Sequence, residues 1–177
     1  TFFMTAKALS NEFMQVIMIE EAWKELSNEF NWSETLLEKY QDKVDWNVIS
    51  ENMHIRWTVS MIQKFKNRIN WDKFSEALDE EVLTENVIEA FKDKWDWHKL
   101  SANSGVRLSH ALLDKFADFW DWEKIINRYH ENVFENQGIE FYERYKERIP
   151  AAKVQNSRLW DEIVSQQKLQ LIAEIIG

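Results

Sequence analysis

The chain contains no cysteine, which excludes disulfides, thiolate metal sites and cysteine nucleophiles. Three glycines and one proline in 177 residues leave too few turn signals for a fold of many short strands. The four histidines form no metal signature: His110 and Asp114 lie four apart and His130 and Glu131 precede Glu135, but no two histidines are one helical turn apart, as a zinc peptidase requires. Glycine-rich phosphate loops and nucleophile elbows are missing too. Apolar runs such as residues 16–19 are far shorter than the roughly 20 residues of a membrane span, and no charged start leads into an apolar signal core. These absences weigh against an enzyme, a bound cofactor or metal, and a membrane location. The expected setting is the cytoplasm.

What is present is helical periodicity. In residues 83–101, LTENVIEAFKDKWDWHKLS, Leu83 opens the stretch and Thr84 is a candidate N-cap. Apolar residues follow at plus four, five, eight and twelve: Val87, Ile88, Phe91 and Trp95. That spacing predicts one apolar stripe on a helix of about four turns. Asp96 then offers a second cap, with Trp97 just inside a new short helix that carries Leu100.

The frame recurs along the chain. From Trp32 it reads Leu36, Leu37, Tyr40, Val44 and ends in Asp45 and Trp46; from Trp57 it reads Met61, Ile62, Phe65, Ile69 and ends in Asn70 and Trp71. From Leu108 it is Leu112, Leu113, Phe116, Trp120, then Asp121 and Trp122. An earlier copy from Leu9 reaches Ala22 and Trp23 with Glu21 at plus twelve, and a degenerate copy from Gln137 ends in Pro150 and Ala151. The six starts at residues 9, 32, 57, 83, 108 and 137 step by 23 to 29 residues, a period suited to stacked helical units. The expected fold is all-α, a short α-solenoid of about six helix, corner and short-helix repeats in one domain over residues 1–177. Residues 1–8 form a partial unit or cap, 9–125 the regular repeats, 126–156 an irregular connection and degenerate repeat, and 157–177 a capping helix that begins at Ser157.

Corner positions carry their own pattern. Ser27, Ser50, Ser75 and Ser101 each stand four places after a frame's final Trp, where a hydroxyl bonds back to backbone groups. Asn52 and Asn103, two places further on, are expected to leave the helix through the left-handed conformation. Most of the ten tryptophans fall at repeat positions where a neighbouring unit must pack, which makes them core. Each ring buries on the order of 150–250 Å², roughly 4–6 kcal/mol of gross hydrophobic gain. Trp57 stands apart, since Leu83 and Leu108 occupy its place in other frames.

The strings WDWHKLSAN (95–103) and NWSETLLEKYQDKVDW (31–46) resemble the Trp-rich tandem repeats of the form WDWxxLSxN followed by WSxxLLxKY, found in proteins of Bacteroidetes-type bacteria and, in related form, of giant viruses. The resemblance covers residues 9–125. It implies a tandem helical array and assigns no chemistry.

Charge supplies the functional expectation. Against 22 basic residues stand 31 acidic ones, a net charge of -9 that disfavours direct binding to a nucleic-acid backbone. The densest acidic cluster, Glu76, Asp79, Glu80, Glu81 and Glu85, is a candidate contact for a basic protein surface. The expected function is a non-enzymatic, protein-binding repeat scaffold, with an acidic inhibitor or immunity-type protein facing a basic nucleic-acid-handling partner as its sharper form. A self-assembling module with apolar ends, Phe2, Phe3 and Met4 at one and Ile175 and Ile176 at the other, is the alternative, and an enzyme the last.

Overall fold

The computed structural model describes residues 12–130 and 132–177. The partial unit expected over residues 1–8, with Phe2, Phe3 and Met4, and the first residues of the frame opening at Leu9 lie outside them. The described residues form twelve α-helices and no strand. Packing divides the chain into a first unit, Thr1–Ala77, and a second, Leu78–Gly177.

The first unit contains α1 (Met14–Glu29), α2 (Glu34–Tyr40), α3 (Trp46–Ile49), α4 (Val59–Phe65) and α5 (Trp71–Ala77). The second contains α6 (Glu85–Ala90), α7 (Trp97–Ala102), α8 (His110–Lys115), α9 (Trp122–Ile125), α10 (Gly138–Tyr145), α11 (Ala151–Val154) and α12 (Arg158–Ile176). Each regular frame is thus a pair of short helices, and the corner helices pack on one another: α3 on α1, and α9 on α7.

Capping starts each pair. The hydroxyls of Ser33, Thr58, Thr84 and Ser109 accept the N–H groups of Leu36, Met61, Val87 and Leu112. One position inward, Leu37, Ile62, Ile88 and Leu113 have no exposed surface; nor do Ile49, Phe74, Leu100 and Ile125 in the short helices. These two sets are the core of each unit. The first helix is shorter than its four-turn stripe predicts: α6 has six residues, and residues 91–95 continue as hydrogen-bonded turns in which Lys94 donates to the Phe91 carbonyl. The stripe stays in register because these turns still bury Phe91 and Trp95.

The reason the helix ends is visible at the corner. A continuing helix would join the Gln41 carbonyl to the Asp45 N–H, four residues on. Instead the Asp45 N–H donates to Ser27 Oγ at 2.9 Å, and the Trp46 indole N–H donates to the Gln41 carbonyl at 2.8 Å. Ser27 Oγ in turn donates to the Trp23 carbonyl at 2.6 Å. The same exchange recurs with Ser50, Asn70, Lys66 and Trp71, and again with Ser101, Asp121, Ala117 and Trp122. Each opened backbone pair therefore finds two side-chain partners, one of them from the preceding repeat. The Asp or Asn side chain meanwhile caps the short helix that follows.

Two frames lack this exchange, and both depart in sequence. In the first, Ala22 has no capping side chain, and α1 runs unbroken through Ala22 and Trp23 to Glu29. In the last, Pro150 has no N–H to give, and Ile126 and Ala151 replace the serine and the tryptophan. The corner asparagines also differ from expectation. Asn103 is extended (φ -71°, ψ 117°), and among the described residues the only positive φ outside glycine belongs to Asn136. Their amides instead reach back a full repeat: Asn52 Nδ2 donates to the carbonyls of Ser27 and Phe30, and Asn103 Nδ2 to that of Leu78.

Ser50→Ala leaves the Asn70 N–H without its acceptor beneath a buried corner. The expected loss is about 1–3 kcal/mol of unfolding free energy, read from urea denaturation of both proteins.

Candidate interaction site

Four sets of polar or exposed side chains lie outside the repeating core. The first is a ladder of ion pairs between successive frames. Lys64, seven places into its frame, bonds Glu34 at 2.8 Å and Glu38 at 3.1 Å; Lys115, at the same place two frames later, bonds Glu85 at 2.8 Å and Glu89 at 3.3 Å. Arg144 pairs with Asp114 at 2.6 Å in that register. A second rung joins Arg68 to Asp42 and Arg148 to Asp118. Hydrogen bonding to these carboxylates raises the pKa of Lys64 and Lys115, and the Lys115 bond lowers that of Glu89. All of these pairs are at least partly exposed, so each is weak and screened by salt.

The second is a polar knot between α8 and α10. His110 Nδ1 lies 2.9 Å from the Tyr145 hydroxyl, with the two rings stacked at 5.8 Å. Asp114, one turn beyond His110, has its pKa lowered chiefly by its bond to Arg144. Burial, helped by the bond to Asp114, pushes the Tyr145 phenol up to about 12. At neutral pH this hydroxyl keeps its proton and can serve as a hydrogen-bond donor.

The third is Arg128, which the periodicity gives no reason to single out. It stands where Asn52 and Asn103 stand in their frames, is 4 % exposed, and sends Nη1 to the carbonyls of Ser101 (3.1 Å) and Asn103 (3.0 Å) and Nη2 to that of Val106 (2.7 Å). It does the corner asparagine's task with a longer fork. The signal available in sequence was its position, six places after Trp122.

The fourth is exposed surface. Of the acidic cluster, Glu76 lies on α5 in the first unit, and Asp79, Glu80, Glu81 and Glu85 open the second; all five are exposed. Two of the second unit's four are already paired, Glu80 with Arg107 and Glu85 with Lys115. Asp79 accepts the Glu81 N–H. Apolar exposure is concentrated elsewhere. Phe13, Met14, Val16, Ile17, Met18 and Ile19 are exposed at the start of α1, as are Leu169, Leu171, Ile172, Ile175 and Ile176 at the end of α12.

Two recesses lie beside these sets. In the first unit a cleft of about 580 Å³ lies between α1, at Ile19, Glu20 and Trp23, and the turn after α2, at Asp42, Val44 and Asp45. In the second, a cavity of about 320 Å³ lies between the sixth corner and α12. Trp57, set apart by its place in the frame, is buried edge-on to Phe74, and its Nε1 has no hydrogen-bond partner among the described residues. No group of three or more His, Asp or Glu is placed to hold a metal ion, and no helix is long and apolar enough to cross a membrane, among the described residues. No family model, curated protein or solved structure matches the chain.

Two outcomes follow. Arg128→Met removes three hydrogen bonds from buried carbonyls and is expected to lower unfolding free energy by on the order of 3 kcal/mol, measured by urea titration. Tyr145 holds its proton more tightly when folded, so its contribution to stability is complete below about pH 10 and is lost as pH rises toward about 12. Tyr145→Phe should flatten the fall in urea midpoint across that window.

Proposed function

We propose that this chain is a non-enzymatic, protein-binding helical-repeat scaffold that acts in the cytoplasm. The observation that carries the reading is the apolar surface on α1 and α12. Six apolar residues in succession but for Gln15, from Phe13 to Ile19, are exposed on a helix whose only buried residue is Ser27. Exposed apolar surface of this kind, flanked by charged residues, marks a site for a protein partner. Acidic side chains border it: Glu20, Glu21, Glu25 and Glu29 follow along α1. A partner that fits is apolar at its centre and basic at its rim.

The acidic cluster extends this to the sharper form, an inhibitor or immunity-type protein that occupies the basic groove of a nucleic-acid-handling protein. Its support is charge: net -9 for the chain, with Asp79 and Glu81 exposed beside the paired Glu80 and Glu85. Self-assembly is the second reading, favoured by the same apolar helices, because a second copy would cover them as well as a partner does. The resemblance to Trp-rich tandem repeats fits either reading.

The test is capture from a lysate of the source cell on the immobilised chain, eluted in salt steps. Capture of one basic protein is expected, released at moderate salt and lost when Glu76, Asp79, Glu80 and Glu81 are changed to lysine. Light scattering that shows concentration-dependent self-association, with no captured protein, would replace the scaffold reading with the structural one.

A further inference from the structure

The sixth corner lacks the ring that fills every regular corner. Elsewhere the tryptophan at the fourteenth place of a frame lies against the ring eight places into the next: Trp46 on Phe65 at 5.2 Å, Trp97 on Phe116 at 5.4 Å, and Trp122 on Tyr145 at 5.0 Å. Its indole N–H serves the carbonyl five residues back. In the sixth frame that place is Ala151, and the element that follows is α12. Between them lies the cavity of about 320 Å³, lined by Tyr142, Ala151, Val154, Gln155, Trp160 and Ile163.

The cavity is walled by two aromatic and three aliphatic side chains, with one amide at its edge. Its size sits at the small end of the range for ligand pockets. The backbone of the sixth corner is unusual in the same way. By register the Lys146 carbonyl corresponds to those of Gln41, Lys66, Lys92 and Ala117, each served by an indole. Here Pro150 brings no N–H and Ala151 no indole, so neither donor of the regular corner exists.

Nor can α12 settle inward to close the space. Gly138 already meets it at van der Waals limit: a Cβ there would come within 2.7 Å of the Ile163 backbone nitrogen. Gln166 Oε1 accepts the Ile139 N–H at 3.0 Å while its amide bonds Glu140, which fixes the separation of α10 and α12.

We propose that this cavity receives the indole of a tryptophan presented by a partner protein, in the place where the chain's own repeats carry theirs. An indole matches the walls with its apolar body and carries one N–H at its edge. Tryptophan is also among the residues most often found as an anchor at protein interfaces. The inference deepens the protein-binding reading by naming one contact. Its test uses no partner, so the failure of one is read separately from the failure of the other.

The probe is N-acetyl-5-fluorotryptophanamide, titrated into the full chain and followed by fluorine NMR. Saturable binding at or below about 1 mM is expected. Ala151→Trp, which supplies an internal indole, should weaken it at least tenfold, whereas Ala152→Trp on the neighbouring exposed position should leave it unchanged. In the unaltered chain labelled at alanine methyls, Ala151 should shift on titration and Ala152 should not, which keeps the test independent of how either variant folds. Absence of saturation, or saturation without a response at Ala151, overturns the proposal.

Discussion

Each regular corner depends on opening a backbone hydrogen bond without leaving either half unsatisfied. A buried N–H or carbonyl without a partner costs about 1–3 kcal/mol, so a corner made by bending alone would be a standing penalty at every repeat. Here the N–H goes to a serine of the preceding repeat and the carbonyl to the indole of the following residue. The serine can accept and donate at once, and its own proton goes back to the carbonyl of its own frame's tryptophan. One hydroxyl thus bonds back into its own helix and permits the next corner.

This makes neighbouring repeats mutually dependent at a level finer than side-chain packing. Repeat arrays gain stability from each unit's contacts with its neighbours, and in this chain one of those contacts is required for the unit's own backbone to turn. The irregular frames support that account. Where the cap is alanine, at Ala22, the backbone pair is never opened and the helix runs on. Where the cap is proline, at Pro150, there is no N–H to place, and both the serine and the indole are gone from Ile126 and Ala151. Substitutions on either side of a repeat, at Ile126 and at Pro150 and Ala151, together remove the parts of one corner.

Periodicity made the fold legible because the most buried positions, Leu37, Ile62, Ile88 and Leu113 with Ile49, Phe74, Leu100 and Ile125, occupy fixed places in a frame that also repeats its capping residues. Less was legible where the same place holds a different residue for the same end. Arg128 replaces an asparagine and reaches back about a repeat to the same kind of carbonyl, which pattern alone reads as a departure. The asparagines themselves suggested a left-handed turn because that is a common use of the residue; their amides proved to be needed across the repeat boundary. The ion-pair ladder was written in the sequence as a cation seven places into a frame facing acids two and six places into the one before, but its register only becomes clear once the frames are stacked.

The ends of the pattern carry a different physics. Within the repeats from Trp32 on, the apolar places of the frame are largely covered by neighbours, although Met53, Val59 and Phe119 are exposed, and the ion pairs outside are weak. On α12 only the first half has such a neighbour: Leu159 is fully buried and Gln166 is bonded to α10, whereas beyond it Leu169, Ile175 and Ile176 are more than half exposed. A helix apolar on several sides is normally an interior helix. Its outer half therefore keeps its shape through its own backbone bonds while presenting to solvent the kind of surface that the repeats elsewhere take care to bury. The place where the repeating pattern gives out, at Ile126, Pro150 and Ala151, is thus followed by the surface least explained by self-contained folding, the surface on which the proposed protein-binding reading rests.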